Sequence, residues 1–296
     1  LQYRRSNIFC ERILLSMRFN MIKKTRFLSF SIIKCFCCLI CLFGSLSLAS
    51  CNKQFNKKTI YNNPESNKPC CIKDLCYDTN NLYGYRIYIN ENNEYVPFLV
   101  LSSDYSKNCL LLREFLLDEP KPYNSSGEYG SYYSGSIIDD FLNNSYFYTL
   151  HENTRKIIVN SSILIATKNA IDTHDSSTET IERKIFLLSA TEVNSTLGSS
   201  QAQEGIPINF FKKNENKIAY YENSCPGSWM LRSAAFNGGN SIVGISETGC
   251  AGIGGINGLD GLCENAVRPA FCIPIDTEIE ECENIIGGEK VFILKN

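Results

Sequence analysis

Two adjacent thiols are the first chemistry that this chain offers: Cys70 and Cys71, with Cys76 five residues further on. Thiolates this close serve as zinc ligands where four Cys or His side chains close a tetrahedron. A fourth ligand at a recognisable spacing is missing, and the two histidines, His151 and His174, offer none. A local or long-range disulfide is therefore the better expectation. The chain has 15 cysteines, and nine lie in its body: Cys70, Cys71, Cys76, Cys109, Cys225, Cys250, Cys263, Cys272 and Cys282. Nine is odd, so at least one thiol stays reduced or pairs between chains. Cys250 and Cys263 bracket the glycine-rich stretch Gly249–Gly261. A bridge between them would add about 3 kcal/mol.

Each remaining candidate has a structural reading beside its chemical one. The Gly249–Gly261 loop could cradle an anion, but it lacks the Lys-Ser/Thr pair of a phosphate loop. Its Asn257 and Asp260 could touch calcium, but the alternating acidic ligands of a calcium loop are missing. Trp229 could stack on a sugar; among Met230 and Leu231 it is better read as core. Arg232 and Arg268 could bind an anion, or brace loop carbonyls and carboxylates with their forked donors. His151 and His174 come without a G-x-S-x-G nucleophile elbow. Asp139–Asp140 and Glu278–Glu280–Glu281 read as solvated faces of an acidic chain. No catalytic residue, metal or cofactor is expected.

The N-terminal 50 residues carry eight basic side chains and one acidic one, Glu11, leaving 21 basic and 30 acidic residues beyond, a net charge of −9. Such an acidic body repels phosphate backbones, so nucleic acid is not an expected partner. Met17 and Met21 both suit a start, and residues 1–16 read as an over-extended reading of the gene. Lys23, Lys24 and Arg26 precede an apolar run from Cys35 to Leu48, shorter than the roughly 20 residues of a comfortable bilayer span. That order of regions is a signal peptide's. Leu48-Ala49-Ser50-Cys51 resembles the bacterial lipobox, in which cleavage leaves an acylated cysteine first; the resemblance makes Cys51 the lipid anchor. More than one acyl chain gives a firm hold on the membrane.

Residues 1–50 are thus expected to be a signal segment, and 51–81 a polar, lipid-anchored tether. Residues 82–277 should form the folded domain, and 278–296 a tail that could carry a strand. Tyr85–Ile89 and Tyr95–Leu101 have strand composition around an Asn-rich turn. Ser136 opens a helix with Asp139 at its third position, and Ile137, Ile138, Phe141 and Leu142 share its apolar face. His151–Lys156 suggests a second short helix. Ile157–Val159, Ile163–Ile165 and Lys184–Ser189 read as strands, and Asn169–Glu182 as a surface loop. Trp229–Ser233 and Ser241–Ile245 read as a strand pair. Many short strands with one or two short helices make the fold class α+β.

Ser136-x-Ile138-x-x-x-Leu142-Asn143, Trp229-Met-Leu-Arg-Ser233 and Val267-Arg-Pro-Ala-Phe271 together resemble an uncharacterised bacterial domain-of-unknown-function family over roughly residues 85–275. The closing pattern is more loosely similar to the C-type-lectin-like fold shared with formylglycine-generating enzymes. There a late strand bearing an aromatic residue and an Arg packs against a terminal Val-Arg strand. The resemblance implies a compact scaffold whose loops bind ligands. It does not imply calcium-dependent sugar binding, because Trp229 is followed by Met230 and Leu231 instead of Asn-Asp. Nor does it imply formylglycine chemistry, because Cys225 and Cys272 lie outside the required cysteine motif. The expected function is a surface-exposed lipoprotein of the cell envelope with a non-catalytic domain that binds a glycan or protein. The alternative is an envelope enzyme with a thiol- or His-based site.

Overall fold

The computed structural model describes residues 68–77, 83–195, 197, 201–236, 239–255 and 266–295. The chain divides into Leu1–Asn62 and Asn63–Asn296, and every described residue lies in the second unit. Cys51, expected to be the lipid anchor, the expected signal segment and the first part of the expected tether lie outside the described residues.

The largest element is a seven-stranded sheet. It is built from β1 (Arg86–Glu91), β2 (Glu94–Tyr105), β3 (Asn108–Arg113), β6 (Ile185–Phe186), β12 (Ala270–Pro274), β13 (Ile279–Ile286) and β14 (Glu289–Leu294). Its spatial order is β13-β14-β1-β2-β3-β12-β6. Neighbours run antiparallel except β1 and β14, which are parallel with Tyr88 opposite Ile293. Central β3 buries everything from Cys109 to Arg113, the pattern of a strand covered on both faces. Asn92 and Asn93, both at positive φ, make the tight β1–β2 turn, where Asn accepts the left-handed conformation.

Three smaller sheets complete the body. β9 (Trp229–Ala234), β10 (Ser241–Ile245) and β11 (Ala251–Gly255) form one. β4 (Ser161–Ala166) pairs with β5 (Thr178–Arg183), and β7 (Ala219–Tyr220) with β8 (Pro226–Gly227). The helices are short: α1 (Ile137–Asn144), α2 (Glu152–Ile157) and α3 (Lys168–Thr173). Ser136 caps α1 by accepting from the Asp139 amide at 3.3 Å, and Ile138 and Leu142 go into the core. Mixed short strands and few helices make a mostly β form of α+β. Among the described residues no helix is long and apolar enough to cross a membrane.

Three stretches differ from the sequence reading. The polar tether expected over 51–81 is, at 68–77, part of the fold: Ile72, Leu75 and Cys76 are fully buried, and the Ile72 amide donates to the Thr277 carbonyl at 2.9 Å. Pro69 and Cys71 are buried with them and Tyr77 packs edge-on against Tyr85 and Phe210, so apolar burial docks a tract in which Lys68, Cys70 and Lys73 stay exposed. The stretch 278–296, expected as a tail that could carry a strand, carries two: the β13–β14 hairpin over Ile279–Leu294, which extends the sheet. The expected loop at Asn169–Glu182 contains α3, capped by Thr167, and the edge strand β5.

Disulfides are a further correction, since none joins the described cysteines. Cys76, Cys109 and Cys272 are instead wholly buried, filling the core as small apolar side chains. The Cys76 and Cys109 sulfurs lie 3.5 Å apart, in contact but outside bonding distance. Cys263, and with it the expected bridge to Cys250, lies outside the described residues.

Candidate functional site

The polar heart of the domain is built where β9 meets the segment that follows β6, the Arg232 amide donating to the Leu188 carbonyl at 3.0 Å. Arg232 on β9 is buried at 1% exposure, and a strand so placed must bring a counter-charge with it. Glu192, reached by the turn after β6, supplies it. The guanidinium grips the carboxylate with two bonds, Nη2 to Oε1 and Nη1 to Oε2, each 2.8 Å. Its remaining donors reach the Leu164 carbonyl at 2.9 Å and the Leu187 carbonyl at 2.7 Å. Burial alone would lower the Arg232 pKa, but the charge of Glu192 outweighs it and the value is raised. Glu192 also accepts from the Ser189 amide at 2.9 Å and from the Tyr105 hydroxyl at 2.6 Å. Burial, then the neighbouring Glu192 charge, keep the Tyr105 phenol well above its usual pKa and protonated.

A second carboxyl, Glu204, lies close by and is equally buried. It accepts from the Ala166 amide at 2.7 Å and bonds the Ser233 hydroxyl. Burial pushes its pKa up to about 7, against the pull of Arg232 and with help from the Glu192 charge. Ser233 in turn accepts from the Ala190 amide at 2.9 Å. The network therefore ties β4, β9 and the segment after β6 into one rigid unit.

Glu192 and Tyr105 form the floor of a cleft of about 400 Å³, open to solvent and rimmed by Asp104, Ser162, Ile206 and Asn209. Ile206 is 82% exposed, a large apolar side chain standing in water at that rim. Gly205 beside it has φ +100°, and a Cβ there would meet Glu192 Oε1 at 2.9 Å, so only glycine lets the chain pass. Across the cleft, Ser106 and Lys107 both have positive φ in the β2–β3 turn, a conformation that suits neither residue type. Strain of this kind concentrates where binding needs a fixed loop. A second cleft of about 320 Å³ lies beside His151, Lys156 and Lys295.

The candidates named from sequence fall mainly into bracing roles. Trp229 is fully buried, its indole N–H donates to the Lys217 carbonyl at 3.0 Å, and the Arg268 guanidinium lies 5.2 Å from its ring centre. Arg268 Nε donates to the Arg113 carbonyl at 2.9 Å, while its Nη1 has no hydrogen-bond partner among the described residues. Burial lowers the Arg268 pKa to about 10. Asp139 is no solvated carboxylate: it is buried and held by Arg183 at 2.7 and 2.9 Å. Asn143 clamps α1 to β6, accepting from the Ile185 amide at 3.1 Å and donating to the Ile185 carbonyl at 3.0 Å. His151 caps α2 by accepting from the Asn153 amide at 3.3 Å. His174 closes α3 in a left-handed conformation and stacks on Phe236. Asn257 and Asp260 lie outside the described residues.

Residues 106–275 match the family described as Domain of unknown function (DUF6273), and the chain belongs to that family. No curated protein and no solved structure matches the chain.

Proposed function

We propose that this member of the DUF6273 family is a lipoprotein of the cell envelope, anchored through Cys51 and facing outward, whose body is a non-catalytic domain that binds a glycan. The observation that carries the binding reading is the floor of the Tyr105–Glu192 cleft. Each oxygen of Glu192 accepts two hydrogen bonds, from Arg232 and Tyr105 on one and from Arg232 and Ser189 on the other, so the acceptor positions of this carboxylate are filled by the protein itself. Such a floor is rigid, and the recognising groups are those around it: the hydroxyls of Ser106 and Ser162, the Asp104 carboxylate and the Asn209 amide beside the apolar Ile206. A mixture of polar donors and acceptors with an apolar wall is what a neutral polyhydroxylated ligand needs.

The finer fold reading is a C-type-lectin-like scaffold. It is supported by the closing strands: Trp229 bridges Ala266, the Met230 amide donates to the Ala266 carbonyl at 3.1 Å, and Arg268 covers the indole. The lipoprotein reading rests on the order of charged, apolar and small residues up to Cys51. The enzyme alternative needs a thiolate or a paired histidine. Burial pushes the Cys272 thiol up to about 12, and burial with Asp74 does the same at Cys71, which speaks against it.

The test is saturation-transfer NMR of the full chain in detergent with soluble cell-wall glycan fragments, alongside Asp104→Ala and Ile206→Asp. Contact signals from sugar protons in the parent, weakened in both variants, are expected. Equal signals in all three, or none from any glycan, would refute the cleft as the binding site.

A further inference from the structure

We propose that Cys70, Cys71 and Asp74 form a three-ligand site for a thiophilic divalent cation of the zinc class. One sulfur from each cysteine and one oxygen from Asp74 all lie within 4.8 Å of one another. The two sulfur-to-oxygen distances are 3.5 Å for Cys70 and 3.2 Å for Cys71. Zinc bound tetrahedrally to sulfur at about 2.3 Å and oxygen at about 2.1 Å sets such ligand atoms about 3.6 Å apart. The thiols need only small adjustments to take an ion in place of the protons they share with the carboxylate.

The surroundings prepare the cluster for a cation. Asp74 Oδ2 also accepts the amides of Cys70 and Cys71 at 3.0 and 3.1 Å, which fixes the carboxylate's direction as an outer-shell partner fixes a metal ligand. The segment is itself pinned to the body, since the Cys70 carbonyl accepts from the Ile279 amide at 3.1 Å. Of the two lysines in this segment, Lys68 is engaged by Glu281 at 2.7 Å and Lys73 is exposed to water. Two sulfurs and one oxygen select a borderline-soft ion over magnesium or calcium. Cys70 is exposed, so the fourth position opens to water. Binding releases two protons, one from each thiol, to solvent, and no oxidant or reductant is involved.

The experiment is a Cd²⁺ titration of the full chain in detergent, kept reduced by a phosphine, following the sulfur-to-cadmium charge-transfer band in the ultraviolet. Calorimetry in buffers of different ionisation enthalpy counts the protons. One ion per chain with about two protons released is expected from the deprotonation that metal binding requires. Asp74→Asn should weaken binding by roughly 10–100-fold, the range that even outer-shell partners carry. Cys70→Ser, at an exposed position, should abolish one sulfur's share of the band with circular dichroism unchanged. Cys225→Ser, elsewhere on the surface, should change nothing. A parent chain that shows no charge-transfer band, or a band surviving in Cys70→Ser/Cys71→Ser, would overturn the site.

Discussion

Glu204→Gln removes one buried ionisable group while keeping its shape, and the structure says what should follow. The carboxyl ionises near 4.5 in the unfolded chain and at about 7 in the folded one, because burial disfavours its charge. Between those values the folded state holds the proton that the unfolded state has lost, so stability falls as pH rises through this window. The contribution is fully present below about pH 4.5 and lost once pH passes about 7. At about 1.4 kcal/mol per unit, the loss is on the order of 3 kcal/mol. The amide of Gln can still accept from Ala166 and donate to Ser233, so the variant should lose the pH slope and keep the fold. Urea unfolding from pH 4.5 to 8 measures this, with the single tryptophan, Trp229, as a buried fluorescent probe. Other titrating groups are common to both proteins and cancel in the difference. Identical pH profiles for parent and variant, or a parent that gains relative stability with rising pH, would refute the account of this carboxyl.

Arg232→Met strands the Glu192 charge in the core and should cost about 3–5 kcal/mol in the same urea assay, with Arg232→Met/Glu192→Leu recovering most of it. Gly205→Ala forces an L side chain to φ +100° against Glu192, so a loss of about 1–3 kcal/mol and weakened glycan contact in the NMR experiment are expected. Asn143→Leu matches the side chain in size but removes its bonds to both backbone groups of Ile185, and thermal unfolding should show a loss of about 1–3 kcal/mol.

Much of the scaffold was legible because its signals are local. Alternation in β1, the Ser136 cap and the strand composition of β9 and β10 each operate within a few residues. The motif residues prove to be brackets: Asn143 ties a helix to a strand, and Arg232 ties three segments together. Their partners could not be read. A buried Arg in Trp-Met-Leu-Arg-Ser demands a carboxylate, but Glu192 lies 40 residues away and Glu204 lies 28 away, among many other acids. The segment Asn169–Glu182 looked like loop because its strand sits on an edge, where Thr and Glu can face water. Residues 68–77 looked like tether because Ile72, Leu75 and Cys76 are sparse among polar neighbours. Cysteine density suggested bridges, but three of those thiols serve as core filling. Asp74 was not legible as a partner of Cys70 and Cys71, because a carboxylate three residues on in a polar, acidic chain carries no signal of its own.

The central claim is that this domain is presented from a membrane through Cys51, and intact mass tests it most directly. The protein would be expressed from its whole gene in a bacterial host and extracted from membranes, with and without Cys51→Ala. The account predicts a mature chain beginning at Cys51 and carrying diacylglycerol, with the modified species lost in the variant. An unmodified chain that retains residues before Cys51 would contradict it.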